Sequence, residues 1–175
     1  MADAPEIPEA NDPFEKRVAV TIAILAVVLA VVGNKGDNAK TDAIIKTNEA
    51  SNKWGHYQAK GIKGAIASAQ AELLTSLAPS PAAAGDIAKT VERLKGEVVR
   101  YEAEQEPIKK GAEAAMEDAE RGSKINDRCD QGSLALQIAI VIASVSILAR
   151  SRAFWIGSIV LGLVGIGVGV MAFLI

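Results

Sequence analysis

Residues 153–175 read AFWIGSIVLGLVGIGVGVMAFLI, a run of 23 residues without a charged side chain. As a helix this run would extend roughly 34 Å, against about 30 Å for the hydrocarbon core of a bilayer. Two shorter uncharged runs, VAVTIAILAVVLAVVG at 18–33 and LALQIAIVIASVSILA at 134–149, have the same character. The three runs predict transmembrane helices at 13–33, 134–149 and 153–175. The alternative, that the shorter runs are buried helices of a soluble domain, is disfavoured because the rest of the chain offers too little apolar surface to cover them.

The composition is divided along the chain. Hydrophobic residues make up 50% of the sequence and charged residues 23%, but the apolar residues lie at the two ends and the charges lie in the middle. The net charge of −2 provides no basic field, so no nucleic-acid partner is expected. Cys129 is the single cysteine, which excludes an internal disulfide framework and a multi-cysteine metal site.

The charged middle, residues 34–133, predicts a long extramembrane helical hairpin with arms at about 39–77 and 86–130. A leader at 1–12, rich in Pro, Glu and Ala, is expected to be disordered. Asp12, Pro13 and Glu15 form a capping box that predicts the start of the first helix. Gly36 and Asn38 predict a turn or kink after the first span. The loop between the two arms is predicted from prolines at 79 and 81.

Heptad spacing in both arms predicts coiled-coil packing, so the predicted fold class is all-α. The predicted seam of the second arm consists of Ile87, Val91, Leu94, Val98, Tyr101, Gln105, Ile108, Ala112, Ala115 and Ala119. That of the first arm is weaker and consists of Ile45, Asn48, Asn52, Gly55, Ala59, Ile62, Ile66, Ala69, Leu73 and Leu77. Pro107 predicts a kink in the second arm near residues 104–106.

Small residues recur on one face of the predicted spans at a spacing of four and three. Small side chains let helix backbones approach closely in lipid, so this pattern predicts helix packing, either within the chain or between copies. The residues are Ala19, Ala23, Ala26 and Ala30 in the first span and Ser158, Gly162, Gly165 and Gly169 in the third. Frequent Ala and Gly in membrane helices would also produce such spacing.

Trp54, His56 and Tyr57 form the one concentration of aromatic and imidazole side chains in the middle of the chain. We interpret them as a candidate interaction patch, with interhelical packing or anchoring at the membrane surface as the more economical alternative. A lone histidine has no ligand cluster to join. The sequence therefore predicts no catalytic residue, no metal site, no cofactor and no small-molecule substrate.

Lysine and arginine in the short flanks predict the orientation. Lys16 and Arg17 precede the first span, and Arg150 and Arg152 lie between the second and third. Such residues are retained in the cytoplasm, so we expect a cytoplasmic N-terminus and a periplasmic hairpin. Five acidic groups precede the first span, which is read as an uncleaved signal anchor.

Three stretches resemble a bacterial family of membrane proteins known only as a domain of unknown function. They are EANDPFEKRVA at 9–19, NKWGHYQAKGIK at 52–63 and the Arg150-Ser151-Arg152 link between two apolar runs. Gly55 and His56 stand where bulkier or aromatic residues are expected in the second motif. The resemblance implies a three-span inner-membrane protein and brings no activity, cofactor or catalytic residue.

The sequence thus favours a non-catalytic, multi-pass protein of the bacterial inner membrane whose partners are the lipid bilayer and other protein chains. We expect a homo-oligomer or a structural or accessory subunit of a larger membrane complex, because small-residue faces and heptads accompany the absence of a catalytic motif. The alternative is a channel or transporter component lined by the glycine-rich third span. The uncharged runs of the spans, at 18–33, 134–149 and 153–175, carry no ionisable side chain, which disfavours it.

Overall fold

The computed structural model describes residues 12–77 and 84–174, and within them the fold is all-helical, as predicted. Three helices follow one another: α1 (Pro13–Ser76), α2 (Ala84–Leu148) and α3 (Arg152–Met171). Each contains a stretch long and apolar enough to cross a membrane. The chain divides into two compact units, which we call the apolar unit (Met1–Asp42 and Arg121–Ile175) and the charged unit (Ala43–Glu120).

The first helix begins where the capping residues predict. The Asp12 Oδ1 atom accepts a hydrogen bond of 2.9 Å from the Phe14 backbone N–H, and the Asp12 carbonyl accepts one of 3.2 Å from the Lys16 N–H. The side-chain bond satisfies a donor that the first turn of a helix leaves without an internal partner, and the bond to the carbonyl is the first regular bond of the helix. Helix α1 therefore starts at Pro13.

The break predicted at residues 34–38 is wrong, because α1 continues through them without interruption. Gly36 is buried, and a Cβ atom added to it would lie 2.8 Å from the Cβ atom of Cys129 on α2. The glycine thus permits close contact between two helices and does not form a turn. The Asn38 side chain donates a hydrogen bond of 3.0 Å to the Asn34 Oδ1 atom one turn earlier, which is a helical contact.

Helix α2 packs through the seam that its sequence predicts. All ten predicted positions are buried or half-buried, with Leu94, Ala112, Ala115 and Ala119 among the most buried side chains. The helix also continues through Pro107, which lies inside it. The proline ring removes one N–H donor from the backbone ladder, and the neighbouring residues remain helical.

The seam predicted for the first arm is wrong: its residues are exposed in the charged unit. The face of α1 that contacts α2 carries small residues instead, among them Ala50, Gly64, Ala67 and Ala71, of which the three alanines are buried. The cluster at one end of the unit joins Ala67 and Ala71 to Leu94, with Leu74, Val91 and Val98 packed around them. Small side chains on α1 match larger ones on α2, so the bulky residues of α1 face outward.

Helices α2 and α3 are joined by a tight turn at Arg150 and Ser151. Arg150 has a φ of 47°, in the left-handed region that favours glycine. The Ser151 N–H donates to the Ser146 carbonyl at 3.2 Å, and the Arg150 N–H donates to the Ile147 carbonyl at 3.2 Å. The bond from Ser151 back to Ser146 is typical of a Schellman ending, in which an αL residue satisfies the last carbonyls of a helix.

Three predictions lie wholly or partly outside the described residues. They are the disordered leader before Asp12, the inter-arm loop with its prolines at 79 and 81, and the last residue of the third span.

Candidate functional site

In the apolar unit, the predicted small residues of α3 lie at its contacts with the other two helices. Ser158, Gly162, Gly165 and Gly169 are its four buried residues. A Cβ atom added to Gly162 would lie 2.7 Å from the Leu25 Cδ2 atom, and one added to Gly169 would lie 2.9 Å from the Val32 Cγ2 atom. The missing side chains make room for the Leu25 and Val32 side chains of α1.

Between α2 and α3 the contact is one of backbone against backbone. A Cβ atom on Gly132 would lie 2.9 Å from the Gly165 carbonyl oxygen and 3.0 Å from the Gly169 nitrogen, and one on Gly165 would lie 3.0 Å from the Gly132 carbonyl oxygen. A Cβ contact of 2.9 Å is shorter than real ones, and contacts of 3.0 Å are tighter than nearly all of them. Because the atoms met are backbone atoms, a side chain at either position requires a helix to shift. Leu136, fully buried, packs beside Gly165.

The small residues of α1 occupy a different position. Ala19, Ala23, Ala26 and Ala30 are exposed, and α1 packs within the chain through Val18, Leu25 and Val32 instead. The four alanines therefore make no close contact inside one chain. Large apolar side chains also point outward on this unit: Val20, Val27 and Leu163 are 60%, 65% and 62% exposed.

An aromatic contact joins the start of α1 to the start of α3. The Trp155 indole Nε1–H donates a hydrogen bond of 3.1 Å to the Thr21 Oγ1 atom. The rings of Phe14 and Trp155 meet edge to face, with centroids 5.9 Å apart. Lys16, Arg17 and Arg152 lie within a turn of these residues, so this end of the unit combines aromatic side chains with positive charge.

In the charged unit, the helices are joined by lysines that cross from α1 to α2. The Lys60 Nζ atom pairs with the Glu104 carboxylate and lies 5.3 Å from the centroid of the Tyr101 ring. This pairing lowers the pKa of Glu104 because the ammonium donates a hydrogen bond to the ionised carboxylate. The Arg100 guanidinium approaches the same ring at 5.0 Å.

A second polar group centres on Glu49 of α1. Its two carboxylate oxygens accept hydrogen bonds from the ammonium groups of Lys53, at 2.8 Å, and Lys46, at 3.0 Å. These bonds lower the pKa of Glu49 from 4.5 to about 2. Lys53 also donates to the Gly111 carbonyl oxygen of α2 at 3.1 Å, and Lys46 lies 3.9 Å from the Asp118 carboxylate.

The structure brings together two of the three residues of the candidate interaction patch. The rings of Trp54 and Tyr57 meet edge to face at 5.5 Å, and both side chains are half-buried. The Tyr57 carbonyl oxygen accepts a hydrogen bond of 3.1 Å from the Gln105 Nε2 atom of α2. His56, the third residue of the patch, is exposed.

Sequence reasoning missed several buried positions of α2 in the apolar unit. The predicted seam ended at Ala119, but the same spacing continues through Gly122, Cys129, Ser133 and Leu136, all of which are buried. Extending the heptad past the change from charged to apolar composition would have found them. Cys129 is a free thiol at 0% exposure, and the Ser133 hydroxyl is buried without a hydrogen-bond partner among the described residues.

In the described ranges, no group of three or more His, Cys, Asp and Glu side chains is arranged to hold a metal ion. The closest contacts described are between helices: glycine against backbone in the apolar unit, and lysine against carboxylate and carbonyl in the charged unit.

Comparison with known proteins gives one match. A family model described as a domain of unknown function, DUF4337, matches residues 14–175. No curated protein and no solved structure matches the chain.

Proposed function

The chain belongs to the DUF4337 family, and from that premise we propose that it is a non-catalytic multi-pass membrane protein that acts as a structural or accessory subunit and forms oligomers. Helices α1, α2 and α3 each cross the bilayer once in this proposal. The charged unit forms the extramembrane hairpin, and the parts of α1 and α2 that lie within Ala43–Glu120 are its arms.

The observation that carries this proposal is the placement of side chains in the apolar unit. Small residues such as Ser158, Gly162 and Gly165 let its helices approach around a few buried large side chains, namely Val18, Leu25, Val32 and Leu136. Many more of its large apolar side chains, including Val20, Val27 and Leu163, point outward. A water-soluble bundle places its large apolar side chains inside. Outward valine and leucine with small residues between the helices are typical of helices that pack in lipid.

The localisation follows from charge and from the family resemblance. We propose the bacterial inner membrane, with Lys16, Arg17, Arg150 and Arg152 on the cytoplasmic side and the charged unit in the periplasm. Accessibility labelling tests this orientation. Cys129 is unsuitable as the label site because it is fully buried, so the thiol is placed at the exposed Val99 in a Cys129→Ser background.

Carbonate extraction of membranes from cells producing the full chain tests the membrane proposal. We expect the chain to remain with the membrane pellet and to need detergent for release. A chain recovered in the carbonate supernatant contradicts it.

An impermeant maleimide added to intact spheroplasts is expected to label Val99→Cys, and labelling that requires lysis reverses the orientation.

The oligomeric state is tested by mass measurement of the protein in native nanodiscs, which keep the surrounding lipid. We expect a mass of at least two chains. A strictly monomeric chain without other proteins contradicts the oligomer. The channel alternative gains no support from the buried glycines of α3, because Gly162, Gly165 and Gly169 contact Leu25, Gly132 and Val32 within one chain. Absence of ion flux from liposomes holding a verified oligomer would remove that alternative.

A further inference from the structure

An apolar stripe runs along the exposed face of α1 in the charged unit. Ile62, Ile66, Leu73 and Leu77 are 61%, 52%, 58% and 61% exposed, and Ala69 completes the row. The opposite face of this helix contacts α2 through Gly64, Ala67 and Ala71. Lys63 and Glu72 flank the stripe, so it lies in a charged stretch of the chain.

The spacing of the stripe is that of a helix-packing seam. Ile62, Ile66, Ala69 and Leu73 follow one another at intervals of four, three and four residues, and such a row forms one narrow edge of a helix. A second helix with the same repeat fills the spaces between these side chains. Within the described part of the charged unit, α2 carries large exposed apolar side chains only at Val99 and Met116, and these do not form a row.

The partner that matches this seam is another α1. In a parallel pair each stripe residue meets its own counterpart, and the flanking positions bring Gln58 opposite Lys63 and Ala65 opposite Gln70 of the other copy. No two like charges face each other in this register. Two copies held in one membrane have the same orientation, so their α1 helices are parallel.

We propose that the Ile62–Leu73 stripe of α1 is the surface through which two copies of this chain pair in the membrane, as a parallel two-stranded contact. This inference rests on the proposed function, because the shared membrane sets the parallel orientation. It also assigns a partner to the exposed apolar side chains of the stripe, which the fold of a single chain leaves uncovered.

The area of the stripe indicates how far the pairing of two copies depends on their confinement in one membrane. With roughly 100 Å² of apolar surface on each of the three large side chains of the Ile62–Leu73 stripe, the stripe offers about 300 Å² per copy, against about 800 Å² per partner in a standard stable interface. A contact of this size needs the raised effective concentration of two chains confined to one membrane. The pair is therefore expected in native membranes and is expected to dissociate on dilution in detergent.

Disulfide trapping in native membranes tests the pairing. Single cysteines replace Ile62, Ile66 or Leu73 in a Cys129→Ser background, and Val99→Cys on the exposed face of α2 is the matched control. We expect each stripe cysteine to give a disulfide-linked homodimer with at least about five-fold higher yield than the control, because seam positions of parallel helices meet disulfide geometry. Equal yields, or adducts with a different protein at the stripe positions, overturn the proposal.

A charge placed in the stripe gives a second measurement. Adding Ile66→Asp to the Ile62→Cys chain is expected to lower the dimer yield roughly ten-fold, since two buried carboxylates would face each other. Adding Val99→Asp is expected to leave the yield unchanged. Ile66 is exposed in the single chain, so the substitution leaves its fold intact.

Carbonate extraction of the same variants distinguishes a failure of the pairing proposal from a failure of the membrane proposal. A chain that stays in the membrane but gives no trapped homodimer overturns the stripe as the interface and leaves the membrane proposal standing. A chain released by carbonate overturns the membrane proposal itself.

Discussion

The apolar unit and the charged unit both place small residues between their helices, but they present opposite surfaces. In the apolar unit the outward side chains include Val20, Val27 and Leu163, and in the charged unit the outward faces of both helices carry many lysine, arginine and glutamate side chains. The interior of a helix pair is thus similar in the two units, and the exterior differs. The outward side chains, and not the residues between the helices, therefore indicate which surroundings suit each unit.

The two units also differ in how far their contacts can adjust. Gly132 and Gly165 touch through backbone atoms, which move only with a whole helix. In the charged unit the corresponding contact is Gly61 against the end of the Gln105 side chain, which can rotate away. We therefore expect that a side chain added at these glycines destabilises the apolar unit and is tolerated in the charged unit.

The substitution expected to have the largest effect adds one methyl group to the apolar unit. Gly132→Ala places a Cβ atom 2.9 Å from the Gly165 carbonyl oxygen, so α2 and α3 must separate. We expect a loss of about 2–3 kcal/mol in the free energy of unfolding, measured by denaturant titration in detergent. Gly167→Ala is the control, because a Cβ atom there has nothing within 4 Å. A loss as large in the control would contradict the backbone contact.

A smaller effect, of opposite sign, is expected at the turn between α2 and α3. Arg150 adopts a φ of 47°, which costs a residue with a side chain about 1 kcal/mol relative to glycine. Arg150→Gly is therefore expected to raise the free energy of unfolding by about that amount. Arg152→Gly removes the same charge from the first residue of α3 and is expected to give no gain. If both variants raise the free energy of unfolding, the effect comes from removing a positive charge and not from the backbone conformation of Arg150.

The polar contacts of the charged unit are expected to weaken in acid. Because the pKa of Glu49 is lowered from 4.5 to about 2, its contribution to stability is present above pH 4.5 and is lost as the pH falls towards 2. Glu49→Gln should remove the part of the pH dependence that falls in this window. The pH dependence is measured as the midpoint temperature of thermal unfolding, followed by far-ultraviolet circular dichroism at several pH values.

Glu117→Gln is the control for Glu49, since Glu117 lies exposed on α2 in the same unit. The effect is small because Glu49 and its lysines are partly exposed, and it decreases as the salt concentration rises. A pH dependence that Glu49→Gln leaves unaltered would show that the two lysine contacts do not stabilise the charged unit.

The smallest effect is expected at the glycine that matches Gly132 in the other unit. A Cβ atom on Gly61 would lie 2.8 Å from the Gln105 Nε2 atom, so Gln105 must turn and release the Tyr57 carbonyl. The lost hydrogen bond costs about 1 kcal/mol, and alanine in place of glycine within a helix returns about the same. Gly61→Ala is expected to change the free energy of unfolding by less than about 0.5 kcal/mol. A loss comparable to that of Gly132→Ala would remove the distinction between the two units.

The sequence predicted the helices and the packing face of α2, because the signals for them are local. Uncharged runs, the Asp12 cap and the heptad from Ile87 to Ala119 each depend on residues within one helix. It did not predict the packing face of α1, where the pattern has two candidate rows. One row holds isoleucine and leucine and the other holds glycine and alanine, and the chain uses the second for its own contact.

Gly36 illustrates a further limit. A glycine within a helical stretch is compatible with a break, and it is equally compatible with a close approach to another helix. The outcome depends on Cys129, which lies far along the chain and whose contact no local pattern specifies. The lysine contacts to Glu104 and to the Gly111 carbonyl were missed for the same reason, since charged residues recur throughout both arms.

The turn at Arg150 and Ser151 has a consequence for the route by which the C-terminal part of the chain reaches a bilayer. Two residues extend at most about 7 Å, far less than the ~30 Å thickness of the hydrocarbon core. In the proposed membrane arrangement, helices α2 and α3 therefore enter as a pair, with their joined ends on one side. A protease site inserted in this turn and an epitope appended after α3 must then lie on opposite faces of the membrane.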